Sequence, residues 1–253
     1  MRPSLSAVLI TRDEAKNIRE CLDSVKFCDE LIVVDSGSAD GTVDLARAAG
    51  AKVWTRPFSD GFAAQKNFAI EKASGEWVLL LDADERVPEA LRQEILAVLE
   101  RPKADGYILQ RHNRIFGRWM RHGANAHDLQ LRLAKTSAAR FYGAVHERIR
   151  LDGKAETLKN PLRHLSTETI SEYMKKLNAY TELEAGILLQ GDTADPVRQM
   201  KQKPLLRLAQ LLILKHAFMD GLEGILFATL SAYYEFVSLV KHWERSGKKA
   251  GAS

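Results

Sequence analysis

Hydrophobic and polar positions follow two alternating periods over the first hundred residues. Short continuous apolar runs are typical of buried strands, whereas apolar residues three and four positions apart are typical of helices. The apolar runs predict strands at 5–10, 31–34, 52–54 and 77–81. The helical spacing predicts helices at 14–27, 40–50 and 63–73, and a fourth that follows Pro88. This alternation predicts an α/β fold, a mostly parallel sheet flanked by helices.

The pattern changes after Gly106. Short or alternating apolar runs up to about Leu165 predict a strand-rich half, interrupted by a run rich in Arg, His and Asn from Arg111 to Asp128. A long basic segment of this kind is typical of a substrate-binding loop. Beyond Ser166 the spacing becomes helical, and Ser166 or Thr169 is suited to cap the first of these helices.

Composition and charge narrow the class of protein. The chain has 253 residues, a net charge of +4 and two cysteines, Cys21 and Cys28. So few cysteines exclude a disulfide framework, and we expect buried thiols in a reducing compartment. The apolar run at 7–10 is too short for the core of a signal peptide, so we expect no export. The mild positive charge suits a phosphate or an anionic lipid, and we expect no nucleic-acid partner.

Polar residues follow three of the predicted strands. They form the clusters Thr11–Glu14, Asp35–Asp40 and Asp82–Glu85. Ligands of open α/β sheets bind beyond the carboxyl ends of the strands, so these clusters predict one site. The strongest local signal is Asp82-Ala83-Asp84, which can place one carboxylate on a sugar hydroxyl and the other on Mg²⁺ or Mn²⁺. The alternative is an acidic loop at the N-terminus of the next helix.

Two further residues of the first half are candidates for binding. Asp35 can accept hydrogen bonds from a ribose or a base, or it can serve only as a turn former among Ser36, Gly37 and Ser38. Lys66 can reach a phosphate, or it can be a solvated helical lysine. Neither of the standard glycine-rich phosphate loops is present, which favours phosphate binding through a metal.

The second half offers candidates for acid–base chemistry. His146 and Glu147 can supply a metal ligand and a general base, or they can be a surface histidine and an ion-paired glutamate. Asp128 is a rival acid. Arg132, four residues further on, can face a diphosphate, or it can occupy the polar face of a strand.

These motifs together resemble the inverting nucleotide-sugar glycosyltransferases of family 2, which have the GT-A fold. The resemblance is carried by the segments 7–14 (AVLITRDE), 31–42 (LIVVDSGSADGT), 65–67 (QKN) and 77–85 (WVLLLDADE). The later segments 143–147 (GAVHE) and 218–221 (FMDG) resemble the branch of lipopolysaccharide-core β-1,4-glucosyltransferases. The resemblance spans about 240 residues.

The resemblance implies a role for each matched residue. Thr11, Glu14 and Asp35 would line the nucleotide pocket, and Lys66 would lie near the diphosphate. Asp82 would bind ribose or sugar, and the metal ligands would be Asp84 and His146. The family's usual base is the Asp of a Glu-Asp pair, which is missing here, so Glu147 is the preferred substitute and Asp128 the alternative. Asp13 is a second departure, because relatives usually carry Asn there.

The implied activity is a metal-dependent, inverting transfer of a hexose, glucose from UDP-glucose, to a heptose of the lipopolysaccharide inner core. The alternatives are another envelope glycan or lipid acceptor, and a non-catalytic module that binds a nucleotide sugar. The implied domains are a catalytic domain at 1–165 and a helical region at 166–253. Within the former, 1–105 would bind the donor and 106–165 the acceptor and metal.

The helical region predicts contact with a membrane. Residues 204–240 are rich in Leu, Ile, Phe and Tyr, and basic residues interrupt and flank them. Such helices typically lie in a membrane interface, with lysine and arginine near the lipid headgroups. The alternative is a plain helical pair packed on the catalytic domain or in a dimer. We therefore expect a peripheral protein on the cytoplasmic face of the inner membrane.

Overall fold

The computed structural model describes residues 2–125, 128–143, 148–189 and 196–250. The chain forms two compact units. The first comprises the residues up to Arg111 together with 128–164, and the second comprises 112–127 together with 165–253. Residues 112–127, which the sequence analysis assigned to the catalytic domain, therefore group with the helical part of the chain. The division of the chain into functional domains stays a prediction.

Four parallel strands form the centre of the first unit, in the spatial order β3-β2-β1-β4. They are β1 (Leu5–Thr11), β2 (Glu30–Asp35), β3 (Lys52–Thr55) and β4 (Trp77–Asp82). The helices between and after them are α1 (Ala15–Ser24), α2 (Thr42–Ala48), α3 (Gly61–Glu71) and α4 (Glu89–Glu100). The predicted α/β architecture is confirmed, because each predicted strand and helix of this half is present.

Both faces of these strands are buried. Successive side chains of a strand point to opposite faces, so β1 places Leu5, Ala7 and Leu9 in one apolar cluster and Val8 in another. The first cluster also contains residues of α1 and α4, and the second contains residues of α3. Burial on both faces explains why the strands are continuous apolar runs rather than alternating ones.

Antiparallel strands complete the sheet beside β4. The remaining strands are β5 (Glu85–Arg86), β6 (Gly106–Ile115), β7 (Arg118–Trp119), β8 (Asp128–Lys135), β9 (Ala139–Tyr142), β10 (Arg148–Leu151), β11 (Ala155–Thr157) and β12 (Leu162–Thr167). The main order is β3-β2-β1-β4-β8-β6-β12-β5, β7 and β11 both pair with β6, and β9 and β10 pair separately. β8 is antiparallel to both β4 and β6, so residues of the second half of the sequence lie beside the end of β4.

The second unit is mostly helical, with α5 (Ile170–Leu188), α6 (Pro196–Ala209) and α7 (Gly221–Ala250). Thr169 caps α5, because its hydroxyl oxygen accepts a hydrogen bond from the backbone N–H of Glu172 at 3.1 Å. A π-type turn at Gln210–Leu214 and a 3₁₀ turn at Ala217–Asp220 join α6 to α7. Within the described ranges, no helix combines the length and apolar content needed to cross a membrane.

Candidate active site

The register of the parallel strands aligns three of the predicted polar clusters. Thr11 pairs with Asp35 across β1 and β2, and Ile10, one residue before Thr11, pairs with Asp82 across β1 and β4. The carboxyl ends of the three strands therefore meet at one edge of the sheet. Thr11 is 5% exposed, and its hydroxyl oxygen has no hydrogen-bond partner within the described residues. This orphaned buried hydroxyl marks the edge as a place where a ligand can complete the hydrogen bonding.

The loops after β1 and β2 are joined to each other. The backbone N–H of Asp13 donates to the hydroxyl of Ser38 at 2.8 Å, and the Asp13 carboxylate accepts from the backbone N–H of Ala39 at 2.8 Å. The backbone N–H of Glu14 donates to the hydroxyl of Thr42 at 2.9 Å. Asp13 has a φ of 52°, a conformation that Asn and Asp adopt more readily than other side chains. Aspartate can therefore take the place of the asparagine that the family resemblance implies at this position.

Asp35 is buried and forms the turn that follows β2. One carboxylate oxygen accepts from the backbone N–H groups of Gly37 and Ser38, at 2.8 and 2.9 Å. The other oxygen accepts from the Ser38 hydroxyl at 2.5 Å. The turn-forming role is thus observed directly, and contact with a nucleotide base stays a prediction. Glu14 lies at the start of α1, where its carboxylate accepts from the side-chain amide of Asn17 at 2.7 Å.

A buried guanidinium lies between two carboxylates at the end of β4. Nη2 of Arg132 is 2.6 Å from Oδ2 of Asp82 and 2.5 Å from Oε1 of Glu85. The other oxygen of Glu85, Oε2, accepts from the backbone N–H of Asp82 at 3.0 Å. The Glu85 side chain is fully buried, and the Arg132 side chain is nearly so. Arg132 therefore neutralises acids of the chain, and its predicted contact with a diphosphate stays a prediction.

Two more cations approach the same acids. Nζ of Lys66 is 3.7 Å from Oδ1 of Asp82, and Nη1 of Arg111 is 3.4 Å from Oε1 of Glu85. Burial raises the pKa of Asp82, but attraction to Arg132 and then to Lys66 outweighs it, so the pKa stays below its ordinary value. For Glu85 burial dominates and raises the pKa, although Arg132 opposes it. Asp82 is therefore ionised at neutral pH and surrounded by positive charge.

The helix that carries Lys66 is tied to the second half of the unit. The side-chain amide of Asn67 donates to the backbone carbonyl of Phe141 and accepts from its backbone N–H, both at 2.8 Å. Nζ of Lys66 lies 5.2 Å from the centre of the Phe141 ring, within the range of a cation–π contact. These contacts hold the ammonium group of Lys66 at the carboxyl edge of the sheet.

Asp84 lies beside a histidine that the sequence analysis did not single out. Its Oδ2 is 3.3 Å from Nε2 of His164, because β12 pairs with β5 and sets His164 opposite Glu85. The described residues contain no group of three or more His, Cys, Asp or Glu arranged to hold a metal ion. Mg²⁺ and Mn²⁺ take oxygen ligands and keep waters and substrate phosphates as further ligands. The Asp84 carboxylate offers an oxygen ligand of this kind, and the imidazole of His164 lies beside it.

The two candidate bases differ in what the structure shows. Oδ2 of Asp128 accepts from Nε and Nη2 of Arg111 at 2.9 and 2.8 Å, and its Oδ1 accepts from the side-chain amide of Gln130 at 2.9 Å. Both oxygens of Asp128 are thus engaged within the chain. Glu147 and the predicted metal ligand His146 lie outside the described residues, and their roles stay predictions.

Sequence reasoning gave no individual role in the site to Glu85, Arg111 or His164. Glu85 lay in the predicted polar cluster Asp82–Glu85 without a role of its own, and Arg111 was noted only as the start of a basic segment. No local pattern distinguishes His164. Arg111 on β6 and Arg132 on β8 reach the acids at the end of β4 only through the tertiary arrangement of these strands.

A parallel sheet continued by antiparallel strands, with acids gathered at the carboxyl edge, is the architecture of GT-A glycosyltransferases. The sequence profile of Glycosyl transferase family 2 matches residues 6–154, and the chain belongs to this family. The predicted family and fold are both confirmed. The match covers most of the first unit.

Similar proteins extend the likeness over the helical region. The lipopolysaccharide core biosynthesis glycosyltransferase LpsC of Rhizobium meliloti (strain 1021) is 29% identical, over 97% of this chain and 94% of its own. An uncharacterized glycosyltransferase of Rickettsia bellii (strain RML369-C) is also 29% identical, over 96% of this chain and 87% of its own. The crystal structure of S. aureus TarS in complex with UDP-GlcNAc matches with a TM-score of 0.50 and 16% identity, over 98% of this chain and 92% of that one. The similarity to TarS shows the fold alone.

Replacing Arg132 by methionine tests its role between the acids. We expect Arg132→Met to lower the free energy of unfolding by about 3–5 kcal/mol, because it leaves buried carboxylates without their partner. Urea denaturation followed by circular dichroism measures the loss. Adding Glu85→Gln should recover part of it, because the second variant removes one of the uncompensated charges.

Arg150→Met is the matched control. Arg150 lies on β10 and is exposed beside Asp152, so its replacement should change the free energy of unfolding by less than about 0.5 kcal/mol. An Arg132→Met protein as stable as this control would contradict the electrostatic role.

Proposed function

We propose that the protein is an inverting glycosyltransferase that moves glucose from UDP-glucose to a heptose of the lipopolysaccharide inner core. The observation that carries the proposal is the convergence of Lys66, Arg111 and Arg132 on Asp82 at the carboxyl edge of the sheet. Ligands of such sheets bind at this edge, and lysine and arginine suit the phosphates of a nucleotide sugar. The donor's uracil and ribose would lie toward Thr11, Glu14 and Asp35.

A divalent metal is part of the proposal. Asp84 and His164 would hold it, with His146 as a further ligand implied by the family resemblance. Bound Mg²⁺ or Mn²⁺ stabilises the negative charge of a leaving diphosphate. Lys66 would add positive charge near the same phosphates, and Asp82 would orient a hydroxyl of the ribose or sugar. The likeness to TarS, which was crystallised with UDP-GlcNAc, supports the fold of the donor site and does not select the sugar.

Glu147 is proposed as the general base. It would take the proton of the acceptor hydroxyl as the hydroxyl attacks the anomeric carbon from the face opposite the leaving group, which inverts the configuration. Asp128 is less suited, because Arg111 and Gln130 already occupy its oxygens. The acceptor rests on the similarity to LpsC, which covers nearly the whole of both chains.

Calorimetric titration of nucleotide sugars tests the donor and the metal together. The panel is UDP-glucose, UDP-galactose, UDP-N-acetylglucosamine and GDP-mannose, with Mn²⁺ or with a chelator. UDP-glucose should bind and should lose affinity on chelation. Asp84→Asn and His164→Gln should each weaken metal-dependent binding of UDP-glucose by about tenfold or more, because each removes one ligand of the ion.

Asp152→Asn is the matched control, since Asp152 is an exposed acid paired with Arg150 on the surface. It should bind the donor as the natural chain does. Metal-dependent binding that survives in both site variants would contradict the assignment of Asp84 and His164 as metal ligands. Preference for a different nucleotide sugar would contradict UDP-glucose as the donor.

Turnover separates the two candidate bases. Glu147→Gln should lower kcat by about 10²–10⁴-fold and leave donor affinity unchanged, because it removes only the proton acceptor. Asp128→Asn should instead lower the free energy of unfolding, because it weakens the pair with Arg111. The measurements are initial rates of UDP release and urea denaturation of both variants. A fall in kcat confined to Asp128→Asn, without loss of stability, would show that Asp128 is the base.

We propose further that the second unit rests on the cytoplasmic face of the inner membrane. Its connecting turn and the adjoining ends of α6 and α7 expose large apolar side chains, which we call the apolar tip: Leu205, Leu206, Ile213, Leu214, Phe218 and Leu222. Leu214 is 74% exposed. Lys203 and Lys215 lie in the same stretch of sequence, which suits a surface of anionic lipids. A lipid-linked acceptor would place its sugars at this surface.

Vesicle co-sedimentation tests the apolar tip. Ile213→Ser with Leu214→Ser should weaken binding to vesicles of phosphatidylethanolamine and phosphatidylglycerol by about tenfold or more, because two exposed apolar side chains no longer enter the lipid. The control is Phe58→Ser with Leu129→Ser, since both side chains are exposed in the first unit. Equal binding of the two double variants would contradict the proposed docking surface.

A further inference from the structure

The second unit contains a cavity of about 470 Å³ outside the site described above. It is lined by 117–119, 121–122 and 219–220. The first two ranges belong to the basic segment that the sequence analysis associated with substrate binding. A cavity of this size is within the range that holds small molecules in proteins. Two arginines, a tryptophan and a histidine lie among its lining residues.

Asp220 holds the wall of this cavity in place. Its side chain is 4% exposed, and its carboxylate accepts from the backbone N–H groups of Arg121 and His122 at 3.0 and 2.7 Å. Nδ1 of His122 lies 3.0 Å from the other carboxylate oxygen. Burial raises the pKa of Asp220, but the hydrogen bonds from His122 and Arg121 keep it below its ordinary value. The Asp220 carboxylate therefore anchors the backbone of residues 121 and 122.

Close backbone approaches shape the same wall. A Cβ at Gly221, whose φ is 71°, would lie 2.9 Å from Nη1 of Arg118. A Cβ at Gly123 would lie 3.2 Å from the Cβ of Ala217, and the backbone N–H of Gly123 donates to the carbonyl of Lys215 at 2.8 Å. Glycine at both positions lets the basic segment lie directly on the turn before α7. The cavity is therefore a fixed feature of this unit.

The charged groups of the cavity suit an anion. The Arg121 guanidinium is exposed and has no carboxylate within 4.0 Å in the described part of the chain. Arg118 is 48% exposed, and its Nη1 lies 3.6 Å from Glu223, at the long end of ion-pair distances. Arginine matches the planar geometry of phosphate and carboxylate groups. Trp119 adds an aromatic ring to the lining, and the centre of this ring lies 5.0 Å from that of His112.

The basic segment is linked to the active site through the chain itself. It leaves the first unit directly after Arg111 and returns directly before Asp128. Arg111 and Asp128 are ion-paired at 2.8 Å, so the two ends of the segment are held together at the candidate active site. The residues at the two ends of the segment are therefore themselves part of the candidate active site.

We propose that this cavity binds an anionic group, a phosphate or a carboxylate, on the saccharide acceptor, away from the hydroxyl that reacts. The proposal rests on the function proposed above. Arg121 and Arg118 would bind the anionic group, and Trp119 would contact the sugar that bears it. The enzyme would then transfer glucose less efficiently to acceptors that lack the anionic group. The cavity would therefore determine acceptor specificity.

Direct binding tests the cavity without requiring transfer. Glucose 6-phosphate, glucuronate and glucose are titrated onto the full chain in the presence of excess UDP and Mn²⁺, which fill the donor site. We expect the phosphate or the carboxylate sugar to bind at least tenfold more tightly than glucose. Arg121→Gln should abolish that difference, and the surface control Arg150→Gln should retain it.

Equal binding of all three sugars, or an unchanged preference in Arg121→Gln, would overturn the proposal. The preferred anion identifies the group: glucose 6-phosphate indicates a phosphate and glucuronate a carboxylate. Equal affinity for both anionic sugars, above that for glucose, supports recognition of either anionic group. Each of these outcomes is independent of whether the enzyme uses a lipopolysaccharide acceptor.

Kinetics with lipopolysaccharide core oligosaccharide then connect the cavity to the reaction. Arg121→Gln should raise the KM for the acceptor about tenfold or more and leave the KM for UDP-glucose unchanged. Removing phosphates or reducing carboxyl groups of the acceptor should raise the KM of the natural chain and have little further effect on the variant. A natural chain that binds UDP-glucose yet glucosylates no core acceptor would contradict the proposed function, while the anion titrations still decide the cavity.

Discussion

The buried guanidinium of Arg132 stabilises two carboxylates at the end of β4. Asp82 and Glu85 follow a strand buried on both faces, and carboxylates in such a place are strongly destabilising unless they are paired and hydrogen-bonded. Arg132 supplies that partner with one nitrogen within 2.6 Å of both acids. It comes from β8, which pairs antiparallel with β4. The second half of the unit is therefore required for the acids of the first half to lie where a ligand can use them.

The first half could be predicted because its signals are local. The strands from Leu5 to Asp82 are continuous apolar runs, and each is followed by a segment with helical spacing. Burial on both faces produces such runs, and the parallel arrangement follows from the alternation. The rule that ligands bind beyond the carboxyl ends then brings Thr11, Asp35 and Asp82 to one edge, as the strand register confirms.

The partners of those acids could not be predicted in the same way. Arg132 lies 50 residues beyond Asp82, and His164 reaches Asp84 only because β12 pairs with β5, a strand of two residues. Antiparallel pairing over such separations depends on tertiary contacts, which leave no period in the sequence. The grouping of 112–127 with the helical unit could not be predicted for the same reason. The partners of this segment, Lys215 and Asp220, lie about a hundred residues further along the sequence.

The pair of Arg111 with Asp128 connects these separate features. It closes the base of the basic segment, and it places Arg111 within 3.4 Å of Glu85 among the site's charges. The same pairing engages Oδ2 of Asp128, and the side-chain amide of Gln130 engages Oδ1, so both oxygens that a general base would need have partners within the chain. A residue that holds the ends of a long segment together is poorly placed to exchange protons with an acceptor in each cycle. The structural task of Asp128 therefore favours a separate carboxylate as the base, and Glu147 is the substitute that we propose.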